Sequence, residues 1–126
     1  MKRLWIGVGL LVTLLILGIL VTCYTDSVQN RIADTVKQAA AQAEIGQWEK
    51  AAGTLHQAKA LWDQHHHLTA AVVDHEPMEE AESLFAQLEV HLKFRESAAF
   101  SACCAALQAT ARAIGEAHSI NWWTLL

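Results

Sequence analysis

The sequence predicts an all-α protein: an N-terminal transmembrane helix followed by a small antiparallel bundle of three to four helices. Three observations predict it. Residues 4–23, LWIGVGLLVTLLILGILVTC, form an apolar run with no Asp, Glu, Lys or Arg. Beyond them, apolar residues recur at spacings of three and four, the period of one face of a helix. Gly46 and Pro77, the only proline, interrupt that pattern where a bundle needs turns. The expected division is a stub and anchor over residues 1–25, a bundle over 26–118 and an apolar tail over 119–126.

The apolar run is long enough to cross a bilayer, because a helix rising ~1.5 Å per residue covers about 30 Å in this length. Thr13 and Thr22 can return their hydroxyls to helix carbonyls, and Trp5 and Tyr24 stand at the two ends, where amphipathic rings favour the headgroup region. Lys2 and Arg3 precede the run and Asp26 is the first charge after it, which predicts a cytoplasmic N-terminus and an extracytoplasmic body. A cleaved signal peptide is the rival reading. It is disfavoured because the run exceeds the usual ~7–15 residue signal core and no small-residue cleavage pattern follows it. Leu20-Val21-Thr22-Cys23 loosely resembles a lipoprotein box, which makes Cys23 an alternative lipidation site.

Each later element has its own signals. Asp26 with Gln29 three residues on reads as a capping box opening a first bundle helix. Val28, Ile32, Val36, Ala39 and Ala43 give that helix its apolar face, and Gly46 reads as a left-handed cap ending it. A second, long helix carries Trp48, Ala51, Leu55, Ala58, Trp62, Leu68, Thr69, Val72 and Val73 along one side. It must end near Asp74-His75-Glu76-Pro77, because proline starts a helix well but cannot continue one. Glu76, Glu79, Glu80 and Glu82 crowd the start of the third helix and complement its dipole, while Met78, Ala81, Leu84, Phe85, Leu88 and Leu92 form its stripe. A fourth helix runs from about Ser97 to Ala117 with Phe100, Cys103, Cys104, Leu107, Ala111 and Ile114 on one face. No Gly or Pro separates the third from the fourth, so one continuous helix is the alternative. The end of the chain, from Ser119 onward, reads as apolar without helix continuity. It is expected to pack across the bundle, or to dock through Ile120, Trp122, Trp123 and Leu125 on a partner or the membrane interface.

Charge excludes some partners. The chain holds 9 basic and 13 acidic residues, and Lys2 and Arg3 lie before the membrane, so the body is acidic and nucleic acid is not an expected partner. The three cysteines form no disulfide or metal framework: Cys103 and Cys104 are adjacent, and the simplest reading is that they are small buried apolar residues.

The seven histidines raise a metal reading. His56, Asp63 and His67 share one face of the second helix, and His75 could meet Glu79 across the Pro77 break, so a metal- or pH-responsive sensor using His56, Asp63, His67 and His75 is the alternative function. Against it, no Glu-x-x-His pair of a di-metal bundle occurs, and the adjacent His65, His66 and His67 point to different faces. Enzyme chemistry has no footing either. Ser83, Ser97, Ser101 and Ser119 lack a glycine-flanked elbow, Cys103 has no basic neighbour, and no glycine loop cradles phosphate. No catalytic residue and no cofactor is expected. The favoured reading is a non-enzymatic membrane-anchored module that assists or assembles a membrane or envelope protein complex, with residues 4–23 in the lipid bilayer.

Two resemblances accompany this reading. Gly46-Gln47-Trp48-Glu49-Lys50-Ala51, continued by Leu55, Ala58 and Leu61, resembles the helix hairpin of a tetratricopeptide repeat, yet no second copy follows about 34 residues later. The basic start, single membrane helix, Trp48 opening the second arm, Trp62-x-x-His65, the Asp74-His75-Glu76 break and the Asn121-containing apolar end together resemble the bacterial family known as domain of unknown function 4363. That resemblance covers nearly the whole chain and implies a small single-pass membrane protein, mainly of Firmicutes. The family has no assigned activity, so it transfers no site residue. Asn121-Trp122-Trp123 is bulkier than the Asn-plus-aliphatic ending associated with that family.

Overall fold

The computed structural model describes residues 1–70 and 75–124, except the side chains of residue 68 and of residues 117–124. Val72, Val73 and Asp74 lie outside the described residues, as does Leu125. Four helices follow in order: α1 (Lys2–Glu44), α2 (Trp48–Ala70), α3 (His75–Lys93) and α4 (Ser97–Thr124). The class is all-α, with one long apolar N-terminal helix leading into a bundle.

α1 is the axis of the molecule. Its 43 residues form one helix through both the apolar run and the first arm of the bundle. The expected helix start at Asp26 is therefore corrected: Asp26 is an exposed mid-helix residue, and the division at 25/26 falls inside α1. A cap is needed only where backbone N–H groups are orphaned, and a helix arriving from upstream already supplies their carbonyl partners. α2 and α4 both pack on the bundle half of α1 and α3 packs on α4, while α2 and α3 meet along a thin seam.

One core joins all four helices. Val28, Ile32 and Val36 from α1, Leu55 and Trp62 from α2, Phe85 and Leu88 from α3, and Phe100, Leu107 and Ile114 from α4 are all buried in it. Full burial of side chains of this size contributes roughly 1.5–3 kcal/mol each. Ala33, Ala39, Ala43, Ala51, Ala58, Ala81 and Ala111 are buried among them. The stripes read from sequence at 3.6-residue spacing are thus the faces that meet.

The two turns at the far end of α1 share one hydrogen-bond pattern. After α1, the N–H of Gly46 donates to Ala43 O (3.0 Å) and that of Gln47 to Gln42 O (2.9 Å). After α3, the N–H of Arg95 donates to Leu92 O (3.2 Å) and that of Glu96 to His91 O (3.0 Å). Both are Schellman caps, which need a left-handed residue at the turn: Gly46 with φ 79° and Arg95 with φ 52°. The second ends α3 without glycine or proline, so the third and fourth helices are separate. At the other end, α3 begins at His75, and Pro77 lies in its first turn, where the missing N–H costs no helix bond. α4 continues through Thr124, which corrects the reading of residues 119–124 as a non-helical tail.

Candidate functional site

The first candidate surface is the apolar half of α1. It is long and apolar enough to cross a membrane, and none of its most apolar window is buried within the protein. Every residue from 4 to 17 is exposed. Thr13 donates to Gly9 O (2.8 Å) and Thr22 to Gly18 O (2.9 Å), so the hydroxyls in the run are satisfied by the helix itself. Cys23, the lipidation alternative, is a free and exposed thiol on this helix.

Where that run enters the bundle, α2 and α3 add a histidine belt. The Tyr24 hydroxyl and His65 Nδ1 are hydrogen-bonded at 3.1 Å, their rings edge to face. His66 Nε2 lies 2.9 Å from Glu82 on α3 and packs edge-on to Trp62 and His67. This contact, with Lys59 over the Phe85 ring, spans the thinly packed α2–α3 seam. Three buried polar atoms, Thr25 Oγ1, Gln29 Oε1 and Trp62 Nε1, have no hydrogen-bond partner among the described residues. Such groups ordinarily cost about 1–3 kcal/mol each, so this end of the core is less optimised than the apolar remainder.

The residues of the metal alternative are not gathered. Asp63 pairs with Lys59 at 2.9 Å, His67 packs on His66, and His56 and His75 are exposed. Among the described residues, no three His, Cys, Asp or Glu side chains are placed to hold an ion. Sequence reasoning favoured shared helix faces, whereas His65 and His66 are the histidines that join helices. Cys103 and Cys104 are buried, and Cys103 Sγ donates to Leu84 O at 3.5 Å. Burial raises the Cys103 thiol pKa, and burial with the neighbouring Cys103 pushes Cys104 up to about 12, which leaves both as poor nucleophiles.

The opposite end carries a surface that the sequence did not reveal. Ile45 is 70% exposed at the α1–α2 turn and Phe94 is 65% exposed at the α3–α4 turn, with Val90 one helical turn before Phe94 also exposed. A shallow groove between these turns is lined by Gly46, Gln47, Trp48, Glu49, Lys50 and Arg95. Val90 falls outside the core stripe of α3, and Ile45 and Phe94 lie just past the ends of α1 and α3, off the line of their stripes, and that placement was the available signal. Of the docking residues expected near the end of the chain, Ile120, Trp122 and Trp123 stand in the last two turns of α4, with side chains outside those described.

In comparisons with known proteins, residues 19–124 match the family model described as domain of unknown function, DUF4363. No curated protein and no solved structure matches the chain.

Proposed function

The chain belongs to the DUF4363 family, a domain of unknown function, and from that premise and its own geometry we propose a non-enzymatic role as a rigid membrane-anchored module. In this reading residues 4–23 cross a bacterial cytoplasmic membrane with Lys2 and Arg3 inside, and the bundle stands on the outer face as an accessory or assembly partner of a membrane or envelope complex. The observation that carries it is the continuity of α1. A span and a core helix joined without a break hold the far end of the bundle at a fixed height, about 30 Å above the start of the bundle, for the 20 residues from Thr25 to Glu44. A tether for a freely diffusing domain needs no such stiffness; a fixed standoff does. Exposed Ile45 and Phe94 at that height are the surface offered to a partner, since apolar side chains projecting from two adjacent turns favour a protein contact.

The test places a photo-crosslinking amino acid at Ile45 or Phe94, and as a control at exposed Gln57, in the full chain in native membranes. Discrete adducts from both tip positions and none from Gln57 are expected. No adduct from either tip position overturns the assembly role, and a protease-shielded tip in intact outward-facing membranes overturns the orientation.

A further inference from the structure

We propose that the last two turns of α4 form a second membrane element, seated in the outer-leaflet interface beside the span. The proposal rests on the reading of α1 as a membrane helix. Three observations converge on it.

The first is direction and register. Phe100, near the start of α4, packs edge-on against Trp48 at the far end of the bundle, with ring centroids 5.8 Å apart. Gly115, near its other end, is so close to α1 that a Cβ there would lie 3.7 Å from both Asp26 Cα and Gln29 Cβ. α4 therefore runs antiparallel to α1, back toward the apolar run. Thr124 is nine residues past Gly115, a rise of about 13.5 Å, which sets the end of α4 level with residues 17–20 of α1.

The second is where α1 stops being bare. Residues 4–17 are exposed on every side, but Gly18, Val21 and Thr22 are half-buried and Thr25 is buried. These four recur at spacings of three and four and prolong the core face of Val28, Gln29 and Ile32. The cover of α1 thus reaches Gly18, the level at which the register brings α4 to its end.

The third is charge. Asp26 is the first charged residue of α1 after Arg3, and Glu116 is the last Asp, Glu, Lys or Arg in the sequence. The contact of Gly115 with Asp26 puts both boundaries at one level. Beyond it α4 carries Ile120, Asn121, Trp122, Trp123 and Thr124, with His118 the only titratable side chain. If residues 4–23 fill the ~30 Å hydrocarbon layer, positions 120–124 run from the boundary of acyl chains and headgroups, the zone tryptophan favours, to about 5–9 Å inside it. A protein partner at this height would itself have to be inside the membrane, so lipid is the occupant that the register favours.

The test is lipid quenching of tryptophan in the full chain, reconstituted in phosphatidylcholine and phosphatidylglycerol vesicles with acyl chains brominated near the headgroup. Trp5→Phe leaves Trp122 and Trp123 as candidate lipid reporters, while Trp122→Phe/Trp123→Phe leaves Trp5 to report on the span. Circular dichroism confirms that these conservative variants keep their helix content. The expected result is that adding Trp122→Phe/Trp123→Phe to Trp5→Phe lowers bromolipid quenching at least twofold. Unchanged quenching overturns the proposal, with iodide then separating a tail in water from one covered by protein. Loss of Trp5 quenching in the double variant overturns the span itself, a distinct failure.

Discussion

Burial raises the Cys104 thiol pKa from 9.0 to about 12, with Cys103 adding to the shift, and this has a consequence for stability. Below about pH 9 the folded and unfolded chains both keep this proton. Between pH 9 and 12 the unfolded chain releases it while the folded chain does not, so stability falls as pH rises. Chemical unfolding in detergent at pH 8 and pH 10 is expected to show that loss in the natural chain and a smaller loss in Cys104→Ala. Equal losses in the two would show that the folded thiol ionises as freely as an exposed one. The sequence already pointed to buried, inert cysteines, because two adjacent thiols within an apolar helical stripe have neither the spacing of a ligand pair nor a charge to activate them. The histidines were less legible: sharing one helix face is a local property, whereas the pairing of His65 with Tyr24 and of His66 with Glu82 depends on how three helices settle together.

Helix boundaries separate what local chemistry can announce from what it cannot. Gly46 was readable as a left-handed cap because glycine adopts positive φ at no steric cost. The equivalent turn after α3 places Arg95 in the same conformation, with a hydrogen bond of 3.2 Å between His91 Nδ1 and Glu96 Oε2 linking the two residues that flank the cap. An arginine announces no turn, so the expected start of a fourth helix near Ser97 had no glycine or proline behind it and one continuous helix stayed open as the alternative. The strain is testable: Arg95→Gly is expected to stabilise the bundle by up to about 1 kcal/mol, read as a rise in thermal midpoint. A destabilised Arg95→Gly would mean that the arginine side chain contributes more than its backbone strain costs. Asp26 misled in the opposite sense. Its residue type and the Gln29 spacing satisfy a capping box, but continuity with the apolar run makes the cap unnecessary.

Across the whole molecule, the four core stripes and the all-α class were legible because burial follows helical period directly. The joining of span and bundle was not, since an apolar segment and an amphipathic one look like separate domains whether or not a helix runs through both. That join is the basis of the proposed function, in which α1 acts as a rigid post holding Ile45 and Phe94 at a set distance from the bilayer. Electron-spin distance measurement between labels at Lys2 and Glu44, in lipid nanodiscs with Cys23, Cys103 and Cys104 replaced by alanine, tests it most directly. An unbroken helix predicts one narrow distribution near 63 Å, from 42 steps of about 1.5 Å. A broad distribution, or one centred below about 50 Å, would place a hinge between span and bundle and contradict the account.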